Sequence, residues 1–193
     1  TTRLFRSEAP YYETPEDLLD SDATLLLTRR ESVEEPPNYF RRDLQHNDIK
    51  QLTFFPHPTP QLKDVRKELV RYSRADGVQL TGTLYLPPAY DPAKDRPLPM
   101  LMWAYPEEYK SADAAGQVKD SPYRFIRVSW SSPLVWLAEG YAVLDNPSMP
   151  IIGEGDEEPN ETYVQQLVAD AQAAVDEMLR RGEADPGKIA EGG

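Results

Sequence analysis

Two strand-like runs in this sequence end in residues that could do chemistry. The run Lys188 to Glu191 follows a turn signal, Asp185-Pro186-Gly187, and leads directly into Gly192-Gly193. Paired glycines at a strand end serve a sharp exit or a close approach by a ligand, because no Cβ stands in the way. Enzymes that hold a serine on a strained strand-to-helix turn, G-x-S-x-G, use small residues for that reason. KIAEGG supplies the strand and a first glycine of such a turn, and equally suits any strand that ends in Gly-Gly. The second run, MLMWAY, ends at Tyr105. Taken alone, a tyrosine there places its ring in the core and its hydroxyl in water.

What the sequence lacks narrows the chemistry further. It has no cysteine, which excludes a disulfide scaffold and a thiol nucleophile. Its two histidines, His46 and His57, fall in turn-like and Pro-rich stretches without a spaced acid or a second histidine, and both read as surface residues. A histidine-based zinc site is not expected, and a Ser-His-Asp set needs a histidine from elsewhere. The acidic loop Gly153 to Glu161 could in principle bind calcium, but its spacing departs from the EF-hand pattern. Glu154, Asp156, Glu157 and Glu158 suit a solvated loop leading a helix, whose dipole favours negative charge. No metal and no cofactor is expected. A net charge of −12 disfavours nucleic acid and anionic membranes as partners, and the apolar runs fall short of the roughly 20 residues that cross a bilayer.

The elements that would position these residues fall into two halves. From residue 1 to about 65, LFRSE, TLLLTRRES, NYFRRDL and IKQLTFF read as four short strands, broken by APYYETPEDLLDSD, VEEPP and QHND. Four strands suit about one blade of a propeller, or a small antiparallel sheet appended to the next domain. The three prolines of FPHPTPQLKDV mark a connector, so the boundary is set near 65. Beyond it, Leu69 to Arg74 and Val78 to Leu86 flank an Asp76-Gly77 hairpin turn. Met100 to Tyr105 and Tyr141 to Leu144 read as buried strands, and Pro133 to Glu139 as a short helix stopped by Gly140. Asn160 to Arg181 is the clearest helix, with Tyr163, Leu167, Ala171, Val175 and Met178 on one stripe, a Thr162…Gln165 capping pair and Gly182 at its end. This alternation of strand and helix predicts a parallel α/β sheet with its site at the carboxyl ends of the strands.

The runs AYPEEYKSADAAGQV, YRFIRVSWSSPLVWLAEGYAVLDNPSMPIIGEGDEEPNETYVQQLVADAQAAVDEML and DPGKIAEGG resemble the prolyl oligopeptidase (S9) family of serine peptidases. They look most like its glutamyl endopeptidase branch, known from chloroplasts and with bacterial relatives. RSEAPYYE, LLLTRRES and PPNYFRRDL resemble the same branch just before its catalytic domain. The resemblance implies that residues 1–65 are the last part of a β-propeller. It implies that residues 66–193 are the N-terminal part of an α/β-hydrolase catalytic domain, cut before its serine. In this family the strand like KIAEGG continues into His-Ser-Tyr-Gly-Gly, with the triad's acid and histidine later still. The chain is thus expected to be an inactive piece of a longer peptidase that acts on peptides or unfolded proteins, its partner being the other half of the catalytic domain.

By the same resemblance, Tyr105 falls where the family carries an oxyanion-hole tyrosine, and Gly192 and Gly193 are the approach to the nucleophile elbow. A peptidase that accepts glutamate needs a cationic pocket, for which Arg124 and Arg127 have the right charge. Glu191 departs from the pattern, since the family's strand usually carries an apolar residue there, and a carboxylate inside a central strand is costly unless paired. A related dipeptidyl or acylaminoacyl peptidase or esterase on the same scaffold is the near alternative, and a non-catalytic binding fragment the distant one. A homo-oligomer is compatible with the sequence, and the compartment implied is the chloroplast stroma or a bacterial cytoplasm or periplasm.

Overall fold

The computed structural model describes residues 3–118, 121–153, 155 and 158–193. It divides into two compact units, Thr1–Lys63 with Ser121–Arg127, and Asp64–Asp120 with Val128–Gly193.

In the first unit, β1 (Tyr12–Leu18), β2 (Leu25–Glu31), β3 (Asn38–Asp43) and β4 (Asp48–Gln51) form an antiparallel meander in chain order. The first strand is not LFRSE, as expected, but lies inside the stretch read as a break. Pro15 and three acidic side chains disguise it. Such residues belong on an edge strand, where no second neighbour needs the missing N–H, and the register shift between Pro15 and Asp17 is the bulge that absorbs the proline. Glu13 on β1 reaches across to Arg42 on β3 through two hydrogen bonds of 2.9 and 2.6 Å. Burial alone would raise the Glu13 carboxyl, but the Arg42 guanidinium outweighs it and holds the group below its ordinary value.

Residues 121–127 join this unit because Glu31, at the end of β2, is a buried carboxylate that they satisfy. It accepts the Phe125 N–H at 3.2 Å and Nη2 of Arg127 at 3.4 Å. Phe125 and Ile126 are buried, and the Phe125 ring meets His57 edge-on at 4.9 Å.

The second unit begins with a hairpin, β5 (Arg66–Ser73) and β6 (Gln79–Leu86), whose turn is made by Gly77 at φ 92°. It continues through β7 (Leu98–Trp103), β8 (Pro106–Tyr109), the single turn α1 (Ala112–Ala115), a 3₁₀ helix at Pro133–Glu139, β9 (Ala142–Asp145), β10 (Met149–Ile152), α2 (Tyr163–Arg181) and β11 (Ala184–Gly192). The main sheet has the order β11-β7-β9-β6-β5, with β11, β7 and β9 parallel to one another. The last three strands thus carry out the parallel rhythm predicted from the sequence. A second, two-stranded parallel sheet of β8 and β10 was not anticipated, because PEEY is exposed and polar and shows no alternation.

Helical layers bury the main sheet. Ala174 and Met178 of α2 join Leu84, Leu144, Met100 and Met102 in one core, and the Pro133–Glu139 helix contacts β6, β7 and β9. Central β9 is accordingly closed on both sides, with Ala142, Val143 and Leu144 at zero exposure. The fully buried residues of α2 are Asp170, Ala174 and Met178; of the predicted stripe Met178 is one of these, and Tyr163, Leu167, Ala171 and Val175 lie beside them half-buried. The expected Thr162…Gln165 capping pair does not form. Thr162 makes no capping bond, and its hydroxyl instead accepts from Gln166 at 2.8 Å. Gly182 (φ 73°) and Gly140 (φ 79°) end their helices in the left-handed conformation, as predicted.

Candidate active site

The carboxyl ends of the three parallel strands lie in one row. Trp103 is in register with Asp145 on one side and Gly192 on the other. The backbone continues the pairing past the strands, with the Ala104 N–H donating to the Gly192 carbonyl and the Asn146 N–H to the Trp103 carbonyl, each at 2.9 Å. This row is where the chain reverses its direction of winding: from β7 it moves to β9, then returns past β7 to reach β11. Such a switch leaves a crevice outside the strand ends, which is where open α/β sheets place ligands.

Gly192 and Gly193 are required here by close approach. Neither is at positive φ. A Cβ at Gly192 would lie 2.7 Å from Cζ3 of Trp103, and one at Gly193 would lie 2.0 Å from the Ala104 carbonyl oxygen. The second contact is with backbone, which has little room to yield. Gly192→Ala, whose Cβ would press on the Trp103 ring, is expected to cost about 1–3 kcal/mol in unfolding free energy, the usual range for overpacking. Chemical denaturation would measure it, and shortening the obstacle with Trp103→Leu in the same chain should recover part of the loss.

Tyr105 emerges from the same row. It is the second residue beyond β7, it is 59 % exposed, and its backbone is pinned on both sides by the Ala104 bond to Gly192 and by the pairing of Pro106 with Met149. Gly193 packs on the Ala104 carbonyl, so Tyr105 and the end of β11 share one edge of the sheet. Glu191 is exposed on β11, which has only β7 beside it among the described residues, so its carboxylate bears none of the burial cost anticipated for a central strand.

Sequence reasoning missed Asp145. It closes the apolar run YAVLD next to Trp103, and burial raises its carboxyl above the ordinary aspartate value, against the opposing pull of Asn146 and Lys67. A carboxylate ending an otherwise apolar strand was the available signal.

The arginines considered for substrate binding belong to the other unit. Arg124 donates to the Tyr12 hydroxyl at 3.1 Å, with its guanidinium 4.6 Å from that ring's centre, and Arg127 is paired with Glu31. His46 is exposed and bonded to Asp43 at 3.0 Å, while Nδ1 of His57 accepts the Thr59 N–H at 3.1 Å. Neither histidine meets a serine hydroxyl among the described residues. Of the acidic loop, Glu154, Asp156 and Glu157 lie outside the described residues. Among those described, no group of three or more His, Cys, Asp or Glu side chains is arranged to hold a metal, and no helix is long and apolar enough to cross a membrane.

Solved structures share this fold at low sequence identity. Oligopeptidase B from Trypanosoma brucei matches with a TM-score of 0.63 and 15% identity over 97% of this chain and 25% of its own. A post-proline cleaving enzyme from Rickettsia typhi matches with a TM-score of 0.56 and 16% identity, over 94% and 24%. Closer in sequence are proteins described as "Probable glutamyl endopeptidase, chloroplastic". The one from Oryza sativa subsp. japonica is 52% identical over 200 residues, 99% of this chain and 21% of that protein. The one from Arabidopsis thaliana is 56% identical over 168 residues, 87% of this chain and 18% of that protein. No family model matches the chain. The chain is thus similar over nearly its whole length to proteins named glutamyl endopeptidase and shares the fold of the oligopeptidase structures, and it spans about a fifth of the length of the curated relatives it matches.

Proposed function

We propose that these residues form one wall of the active site of a serine endopeptidase that cleaves peptide bonds through an acyl-enzyme, with preference for glutamate before the cleaved bond. The observation that carries the reading is that the two residues before Tyr105, Trp103 and Ala104, meet Gly192-Gly193 at the carboxyl edge of the parallel strands. In this reading the chain continues from Gly193 into the nucleophile turn, and the glycines admit that turn against the Ala104 carbonyl. The serine attacks the substrate carbonyl, and the oxygen that gains charge is held by two donors, the backbone N–H after the serine and the Tyr105 hydroxyl. Tyr105 suits that task because its side chain is exposed while its backbone is fixed at both flanks.

The second unit is read as the N-terminal part of an α/β-hydrolase domain, and the antiparallel meander of the first as part of a propeller that limits access to the site. Both assignments rest on the strand orders and on the homology. Arg124 and Arg127 are the cations proposed to meet a substrate glutamate. A plastid stroma is the compartment proposed from the chloroplastic relatives.

A serine-directed fluorophosphonate separates this reading from a non-catalytic one. The intact enzyme should take up one equivalent of label and cleave peptides after glutamate in preference to proline, while the 193 residues alone take up none. An unlabelled intact protein would remove the serine mechanism, and specific labelling of the isolated chain would place a nucleophile where this reading has none. Faster cleavage after proline would overturn the glutamate preference alone.

A further inference from the structure

We propose that Gln166 is a positioning residue for Tyr105, acting through the β10–β8 pair; this rests on the reading of Tyr105 as an oxyanion donor. The side-chain amide of Gln166 stands in for a neighbouring strand. Its Nε2 donates to the Ile152 carbonyl at 2.8 Å, and its Oε1 accepts the Ile152 N–H at 3.0 Å. The other edge of β10 pairs with β8, from Met149 opposite Pro106 to Ile152 opposite Tyr109, and the Gly153 N–H extends the ladder to the Tyr109 carbonyl at 3.0 Å. β8 starts at the residue after Tyr105.

Two parallel strands of four residues each make a weak sheet by themselves, because parallel pairing is the less stable kind and so short a ladder buries little. Gln166 supplies the missing third edge from the helix that packs on the main sheet. Its amide can point only one way. Nη2 of Arg74 donates to Oε1 at 3.3 Å, and because arginine has no acceptor the oxygen must face it, which turns Nε2 toward Ile152 and toward the Thr162 hydroxyl at 2.8 Å. Arg74 is itself buried and fixed. It donates to the Pro150 carbonyl at 3.3 Å, to Asp170 at 2.9 Å, and to both oxygens of Asp76. The whole network therefore registers β10, and through it β8, against α2 and the β5–β6 hairpin. Tyr105 sits between two anchors, the main sheet at Trp103 and this staple at Pro106.

The test uses the intact enzyme and four proteins: wild type, Gln166→Met, Tyr105→Phe and the double variant. Gln166→Met keeps the length and loses every hydrogen bond. It is expected to lower kcat roughly 10-fold or more with KM little changed, as a misplaced catalytic group does, and to speed hydrogen exchange at Ile152 and Gly153. In the Tyr105→Phe background the same substitution should have no further effect on kcat. Gln166→Glu, which retains the acceptor for Ile152 and Arg74 but not the donor, should fall between wild type and Gln166→Met, and it serves if the methionine variant does not fold. Additive losses in the double variant, or unchanged exchange, would overturn the coupling while leaving Tyr105 in the site. A silent Tyr105→Phe would instead remove the site reading, and the coupling with it.

Discussion

Tyr105→Phe in the intact enzyme is expected to lower kcat by roughly 10²-fold or more while KM changes little, since removing one oxyanion donor costs about 2.7–4 kcal/mol and acts only when the charge has developed. The substitution suits the purpose because of where the residue stands. With Tyr105 59 % exposed and its backbone held by Ala104 and Pro106, loss of the hydroxyl leaves the fold no cavity to repack. Unfolding midpoints of the two proteins should therefore agree. Steady-state kinetics on a glutamyl peptide would decide it: an unchanged kcat takes Tyr105 out of the chemistry, and a raised KM with kcat intact makes it a substrate contact.

The second large effect concerns stability. Asp170 has no exposure, and among the described residues one of its carboxylate oxygens has no hydrogen-bond partner while the other accepts from Arg74. Asp170→Ala would leave the buried Arg74 with Asp76 as its remaining carboxylate, and an ion pair broken from one side in this way costs about 3 kcal/mol or more. The pH dependence carries an independent signature. Burial raises the Asp170 carboxyl from 3.8 to about 6, although Arg74 opposes the shift. Between these values the folded chain binds more protons at this group than the unfolded chain. Its contribution to stability is therefore fully present below about pH 4 and is lost as the pH rises through 6. Asp170→Asn keeps the shape and removes the titration. The unfolding free energy of the wild type minus that of Asp170→Asn should fall by roughly 2 kcal/mol from pH 4 to 7. A flat difference would mean that the carboxylate ionises freely where it is.

Much of this arrangement is legible in the residues. Asp76-Gly77 between alternating segments, the apolar run at 100–105, and glycines after the helices at 133 and 160 each specify their local structure by chemistry that needs no tertiary partner. Gly192-Gly193 announced a close approach, though only the fold shows that the approaching group is the Ala104 carbonyl and the Trp103 ring. What stayed hidden depends on distant partners. β1 reads as a turn because an edge strand can carry Pro15 and its acidic neighbours. β8 and β10 lack a pattern because a glutamine side chain completes their sheet. Asp170 was read past because a carboxylate at the centre of a helix face makes sense only once Arg74, almost a hundred positions earlier, is seen to meet it.

The hold of Glu31 on residues 121–127 has a consequence for how the molecule is made. A ribosome releases Glu31 long before it releases Phe125 and Arg127, and at ~10 residues per second the wait lasts several seconds. Through that interval the meander lacks the N–H and the guanidinium that let its carboxylate leave water, so the first unit is finished only after Asp64–Asp120 of the second has been synthesised. A peptide cut at Lys63 would remain in that waiting state, with Glu31 hydrated and the surface for Phe125 and Ile126 uncovered.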